Sequence, residues 1–404
     1  MFKQFDVCII GSGVAGTFAA LRVSEKYNNI KTLVIDLGKP PMKRRRQLEG
    51  FLGCFPVGDG KIYPGDLELV KEVADGRRAR PAFKWVLSHL SKVNPMKLVK
   101  CAKPTVMTQE KVDSMGFESY YHDHYQWKPK SVHDFSKITS EQMENRKNLV
   151  FSFDNIVYSV RKNKDGLFQI VTEDGDYLAK RIVICVGRSG WRWATNLYDD
   201  LGIISNDDYA EYGVRIETSA GLLAGFNKAH MTMKKGDMTI GPLSWNGSVI
   251  QEDHSDLVIS AFRSNEDRWK SDKVLFSFLK SVYHYDQGSV QTDRIGKLAG
   301  ILVNDRVSRE KVSTFMRGNS QLNLVPEFDW LRSEFENLED LIPGILKKGY
   351  FHVPDINPKP AEIKIGSNLE TEVEGMFVAG EAAGIKGIAA AAIMGTIAID
   401  SACK

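Results

Sequence analysis

The chain has 404 residues, 43% of them apolar and 26% charged, which excludes a disordered or fibrous polymer and leaves a globular protein of two domains or one large discontinuous one. Its five cysteines are scattered and form no C-x-x-C pair, which argues against a redox-active dithiol and fits a reducing cytoplasm. The longest apolar stretch, Ile388 to Ile399, is too short and too rich in Ala and Gly to cross a bilayer, and no leader peptide is visible.

The first element is the most informative. Val7-Cys8-Ile9-Ile10 is a short apolar run that reads as a buried parallel strand. Gly11-Ser12-Gly13-Val14-Ala15-Gly16 follows, then a helical pattern from Val14 to about Tyr27, then Thr32 to Ile35 and Asp36. This is the G-x-G-x-x-G fingerprint in the context of strand, turn, helix, strand and acid. Gly11 allows the tight turn, Gly13 lets backbone approach a pyrophosphate, and Gly16 lets the helix pack on the strand. The helix start offers unpaired N–H groups and partial positive charge. Asp36 stands twenty residues after Gly16, where a carboxylate reaches a ribose 2′-hydroxyl.

Residues 39–103 carry fifteen Lys/Arg against six Asp/Glu, although the whole chain is only +3. Lys43-Arg44-Arg45-Arg46 and Arg77-Arg78-Ala79-Arg80 are the densest points. Such a region attracts an anionic partner, a nucleotide or DNA among them, or is a solvated face. Within it, Gly50 to Lys61 is Gly-rich, and Gly58, Gly60 and Lys61 suit either close approach to a flat ring or a surface turn.

Residues 65–115 read as mostly helical, broken at Pro81, Pro95 and Pro104. His122-Asp123-His124 lacks a third ligand at metal spacing and reads as a surface loop; no metal site is expected. Leu149–Phe153, Ile156–Arg161, Leu167–Thr172 and Tyr177–Val186 read as successive strands separated by Asp-Gly turns. The end of the last, Arg181-Ile182-Val183-Ile184-Cys185-Val186, is continuously apolar after Arg181, hence buried on both faces, and opens into Gly187-Arg188-Ser189-Gly190. Beyond Gly202 the pattern is mixed: strands near 213–218, 238–240, 248–250 and 257–261, and helices near 270–283, 306–315 and 328–337. No second G-x-G-x-x-G appears, so no separate nicotinamide domain is expected. Near the C-terminus, Gly375 to Ala379 reads as a strand ending in Gly380-Glu381. Gly387 then leads into a small-residue helix, Ile388 to Ala402.

Three of these segments, Gly11–Gly16 with Asp36, Ile182–Gly190, and Gly375–Glu381 with its helix, resemble the two-part FAD domain of the glutathione-reductase-like flavoproteins. More closely the chain resembles the FAD-dependent dehydrogenase family, through Gly58–Lys61, Val186–Trp191, Gly213–Glu217 and Val378–Gly384. The resemblance implies an α/β fold: a Rossmann-like FAD-binding domain (1–203 and 356–404) with an inserted mixed α+β substrate domain (204–355). It implies a pyrophosphate over Gly11, Gly13, Val14, Ala15 and Gly16, an adenosine ribose at Asp36 beside Leu37, and adenine near Ile156. Val186, Gly187, Arg188, Gly380 and Glu381 would line the middle of the cofactor, and Gly60, Lys61, Gly387 and Ile388 the isoalloxazine. Glu381 replaces the family's usual aspartate, and the family's Cys-rich central loop is absent near Met238–Trp245.

The expected activity is an FAD-dependent oxidoreductase moving a hydride between a substrate C–H and flavin N5. Lys61, Arg188 and His352 are the candidate catalytic residues, with Trp191 a further substrate contact. His352 as acid or base competes with a histidine merely satisfied by hydrogen bonds. The family also includes flavoproteins encoded with phage systems that remodel thymine in DNA. An amino-acid-modified thymine is therefore an alternative substrate, with DNA held through residues 39–103. A non-catalytic FAD-binding protein is the third reading.

Overall fold

The computed structural model describes residues 2–43, 60–93, 95–127, 129–254, 257–264 and 271–404. They divide into two compact units, one of Met1–Leu98, Tyr125–Asp207 and Lys359–Lys404, the other of Val99–His124 and Asp208–Pro358.

The sheet of the first unit contains β1 (Lys3–Ile10), β2 (Thr32–Ile35), β3 (Leu149–Ser152), β4 (Val157–Lys162), β5 (Phe168–Thr172), β6 (Gly175–Ile184) and β7 (Met376–Val378). Their spatial order is β3-β2-β1-β6-β5-β4, with β7 also on β6. β3, β2, β1, β6 and β7 run parallel. β6 changes partner halfway: Gly175–Ala179 pair antiparallel with β5, and Ile182–Ile184 pair parallel with β7. Its sequence explains the switch. The first half is half-exposed, as antiparallel pairing permits, whereas Ile182, Val183 and Ile184 are fully buried and need cover on both faces.

The helices of this unit are α1 (Val14–Lys26), α2 (Asp66–Val73), α3 (Gly76–Leu90), α4 (Pro129–Glu144), α5 (Trp191–Asp200) and α6 (Ile388–Ala402). Strand alternation sorts them. Val7, Ile9, Val34 and Val183 face a core shared with α1, α3 and α6. Cys8, Ile10, Leu33, Ile35, Ile182 and Ile184 face Ala194, Leu197 and Tyr198 of α5. α6 is apolar all round because it is buried all round, and it lies on α1, α2 and α3. A Cβ on Gly395 would stand 2.1 Å from the Ala15 carbonyl oxygen, so only glycine admits this approach of α6 to α1. Arg22 clamps Asp400 with two 3.0 Å bonds and ties the other ends of the two helices. Pro81 does not break α3, contrary to expectation. It forfeits one N–H bond, while Asp75 caps the start and Ala79, Ala82, Val86 and Leu90 are buried.

The second unit has an antiparallel sheet. Its order is Ser308–Lys311, Tyr350–Ile356, Tyr209–Ser219, Lys273–Tyr283, Met238–Ile240, Met231–Lys235 and Glu118–Tyr121, with Ser244–Trp245 also on Lys273–Tyr283. Two expectations are corrected here. Residues 270–283 do not form a helix: Lys273–Tyr283 is a central strand, buried continuously from Val274 to Leu279, and a run buried on both faces hides its period. The insertion is not simply 204–355, because Glu118–Tyr121 pairs with Met231–Lys235 and brings Val99–His124 into this unit. Residues 306–315 are a strand, Ser308–Lys311, then a short helix, Val312–Met316, and the helix expected at 328–337 is Leu331–Leu341. Gly288–Leu302 forms a helix that the sequence reading missed.

Candidate functional site

The carboxyl edge of the parallel strands is where β1, β6 and β7 release their loops. Backbone bonds hold the exits together: Cys185 N–H donates to Ile10 at 2.7 Å, Ala379 N–H to Ile184 at 3.0 Å, and Gly11 N–H to Ile35 at 2.8 Å. Gly11 has φ +92°, and a Cβ there would lie 2.8 Å from the Cys185 carbonyl oxygen. A Cβ on Gly16 would stand 1.9 Å from the Gly11 carbonyl oxygen. The protein's own packing therefore demands both glycines.

Gly13 differs. Its φ of −58° suits any residue, and the nearest atom to a Cβ would be 4.0 Å away. Its bareness instead leaves room in front of α1. No side chain caps α1, and its first turn has no acid. Ser12 is 1% exposed, and its hydroxyl oxygen has no hydrogen-bond partner. An uncapped helix start beside an orphaned buried hydroxyl fits a phosphate group.

Asp36 is nearly buried, and its carboxylate accepts the backbone N–H groups of Ser12 and, at 2.6 Å, Gly38. It thus fastens the glycine loop to the end of β2. Asn155 N–H donates to the Asp36 carbonyl at 3.1 Å, which sets Ile156 close to this corner. Ile156 and Leu37 are exposed.

On the other side of β1, Arg188 meets Glu381 at 3.6 Å. Glu381 Oε2 is also 3.6 Å from where a Gly187 Cβ would be. Gly380, at φ +71°, presses its turn against Ala391 and Ala15, with Cβ distances of 3.2 and 3.6 Å. Gly11–Gly16, Cys185–Arg188 and Ala379–Glu381, far apart in sequence, converge on one edge. Ligands bind at this edge in open α/β sheets.

The start of α6 is already occupied. Asp66 Oδ2 accepts Ala389 N–H at 3.1 Å and Ala390 N–H at 3.3 Å. Gly387 has φ +117°, and its Cβ would fall 2.3 Å from that same oxygen. Burial raises the Asp66 carboxyl and the two N–H bonds lower it, leaving it pushed up to about 7. Gly60 is likewise explained by the fold: its Cβ would lie 2.1 Å from the Trp127 carbonyl oxygen. Lys61 is buried on a two-residue strand paired with Gln126 and Tyr125. Trp191 is buried, at 2% exposed. Gly58 and Arg44–Arg46 lie outside the described residues.

His352 is in the second unit, buried, with Nε2 2.9 Å from Glu217. The same carboxylate takes Arg309 and Lys273, each at 2.9 Å. Burial opposes ionisation of Glu217, but the bonds to His352, Arg309 and Lys273 hold it well below the usual carboxylate range. His122 and Asp123 form the link between the strands Glu118–Tyr121 and His124–Gln126, as the expected loop, with the His122 ring 2.8 Å from the Thr232 hydroxyl. Among the described residues, no three His, Cys, Asp or Glu side chains are grouped to hold a metal, and no helix is long and apolar enough to cross a membrane.

Sequence reasoning missed Ser12 and Asp66. Ser12 is one of the variable positions of the fingerprint. Asp66, after Pro64-Gly65, reads as a helix-start residue for α2, and nothing local points to α6.

No protein-family model matches the chain, and no curated protein matches it. Among solved structures it is similar to glycine oxidase from Geobacillus kaustophilus at 13% identity, covering 99% of this chain and 95% of that one, with a TM-score of 0.46. L-α-glycerophosphate oxidase from Mycoplasma pneumoniae with FAD bound gives 11% identity, 99% and 95% coverage and a TM-score of 0.46. The quinol fumarate reductase of E. coli gives 12% identity, 100% and 70% coverage and a TM-score of 0.47.

Proposed function

We propose that the first unit binds FAD and that the chain is an FAD-dependent oxidoreductase, transferring a hydride between a substrate C–H and flavin N5. The observation that carries this reading is the uncapped start of α1 with the buried, unpartnered Ser12 hydroxyl beside it. In this reading the backbone of Gly11, Gly13, Val14, Ala15 and Gly16, together with Ser12, holds the pyrophosphate. Asp36 takes the adenosine ribose, between the exposed side chains of Leu37 and Ile156. Val186, Gly187, Arg188, Gly380 and Glu381 receive the sugar-alcohol half. Lys61, Gly60, Gly387 and Ile388 lie toward the ring half. The cofactor supplies the hydride chemistry; the chain binds, orients and tunes it. Arg188 and Lys61 are the charged side chains of this unit assigned to that tuning. His352, which shares Glu217 with two cations, is assigned a structural role in that cluster rather than acid–base work.

We favour a small-molecule substrate over a modified base in DNA. The DNA reading draws on the charge of residues 39–103. One cation at its densest points is committed elsewhere: Arg78 donates to Ile397 and Ser401 in α6.

The test is retention of flavin. Wild-type protein is expected to purify yellow or to take up FAD after stripping. Gly13→Asp has space to fold, yet places a carboxylate where a pyrophosphate would lie. Its FAD affinity should fall at least ~100-fold, about 2.7 kcal/mol, while the cofactor-free variant melts at the temperature of the cofactor-free wild type. A folded wild-type protein that binds no FAD sinks the proposal. Anaerobic bleaching by small amines, alcohols or hydroxy acids, set against amino-acid-modified thymidines, then separates the substrate classes.

A further inference from the structure

We propose that Asp66 is the proton-linked positioning residue of the cofactor site: it holds the first turn of α6, and takes up one proton from solvent when negative charge arrives at that helix end. This rests on the FAD reading and extends it to a residue that reading does not use.

Three observations support it. The first is a built contact. The carboxylate lies against the bare Cα of Gly387, bonded to the Ala389 and Ala390 N–H groups, in space that any other side chain at 387 would fill. Asp66 belongs by position to the first turn of α2, yet its carboxylate serves α6.

The second is that, among the described residues, no cation compensates the carboxylate. On α2, Lys71 pairs with Glu68, and Glu72 is the other acid. On α3, Arg77 holds Asp75, Arg78 reaches the far end of α6, His89 holds Glu25, and Arg80 and Lys84 complete the charges. On α6, Asp400 is at the far end with Arg22 and Lys26. Glu381 pairs with Arg188, and Lys386 and Lys61 flank the turn and the short strand. None of these side chains moves the Asp66 titration; burial raises it, and the N–H groups of Ala390 and Ala389 lower it. A carboxyl so placed exchanges its proton close to neutral pH.

The third is topology. Asp36 ends β2, on one side of β1; β6 and β7 lie on the other. A dinucleotide with one ribose at Asp36 and its pyrophosphate at α1 extends its second half over β6 and β7. The chain leaving β7 at Val378 starts α6 only ten residues later. The redox half is therefore directed toward the helix end that Asp66 caps. An ionised Asp66 would repel charge added there in a water-poor site, and protonation removes that repulsion. The balance is simple: the electrons come from the reducing substrate, and the proton comes from solvent and is bound as a carboxyl O–H.

The test is the midpoint potential of the FAD-loaded protein from pH 5.5 to 9, wild type against Asp66→Asn. The two profiles should coincide at the acid end. Above neutrality the wild type should fall more steeply by one proton per two electrons, a tenfold change per pH unit, about 30 mV. Parallel profiles throughout overturn the proposal. Should Asp66→Asn not fold, the infrared difference spectrum of wild-type protein on reduction at pH 8 decides: a new protonated-carboxyl band is expected, and its absence overturns the role of Asp66. A protein that takes up no flavin fails earlier and visibly, and overturns the cofactor reading itself.

Discussion

Two helix starts in the first unit answer the same physical problem in opposite ways. α1 and α6 both expose N–H groups and partial positive charge at the carboxyl edge of one sheet. α6 is capped from within by Asp66, through a space that only glycine leaves open. α1 has no side-chain cap, a bare Gly13 before it and a buried hydroxyl without a partner. The chain supplies a carboxylate to one helix start and no side-chain cap to the other, and the FAD reading assigns that second start to the pyrophosphate. The glycines differ in the same sense. Gly11, Gly16 and Gly387 are required by contacts within the protein, and Gly13 is not.

The largest effect should come from breaking the scaffold beneath both helix starts. Gly16→Ala would drive a methyl group to 1.9 Å from the Gly11 carbonyl oxygen, with the buried Cys185 Cβ at 3.3 Å and nothing flexible to yield. A loss of about 3 kcal/mol or more is expected, read by urea denaturation of the cofactor-free protein. If Gly16→Ala were as stable as wild type, the packing of α1 on β1 would be wrong.

The next effect sharpens the contrast at α6. The Asp66 carboxyl sits at about 7 in the folded chain, against an ordinary value of about 4 when unfolded. Between these values the folded chain holds a proton that the unfolded chain has released. Its contribution to stability is complete below about pH 4 and is lost as pH rises through about 7, at roughly 1.4 kcal/mol per pH unit. Asp66→Asn cannot ionise and should flatten that slope. Urea midpoints of the cofactor-free proteins at several pH values between these limits measure it. An unchanged slope in the variant would place the titrating group elsewhere.

The contrast between the two helix starts was half visible in the sequence. Gly11, Gly13, Gly16 and Asp36 announce α1 because strand, turn, helix and acid are close in sequence and each has its own period or spacing. α6 from Ile388 to Ala402 was equally plain, since a long run of small apolar residues without a breaker leaves few alternatives. The cap on α6 was not, because Asp66 and Ala389 are 323 residues apart and only the folded sheet joins them. The same reason hid the second unit's edge strand, Glu118–Tyr121, whose partner begins at Met231. Lys273–Tyr283 failed differently: burial on both faces erased the alternation that would have marked it as a strand.

The smallest effect concerns the edge between the two helix starts. Arg188 and Glu381 are both partly exposed and stand 3.6 Å apart, longer than a good charge-assisted hydrogen bond. Such a pair contributes under ~1 kcal/mol to folding. Arg188→Met, which keeps most of the stem, should therefore leave the urea midpoint of the cofactor-free protein almost unmoved. If Arg188 instead faces the bound cofactor, the same variant should weaken FAD binding by roughly tenfold, about 1.4 kcal/mol. Stability and affinity measured on one sample separate these roles. A large loss of stability would mean that the pair holds the β6 and β7 exits together, and that their convergence depends on charge rather than on the backbone bonds from Cys185 and Ala379.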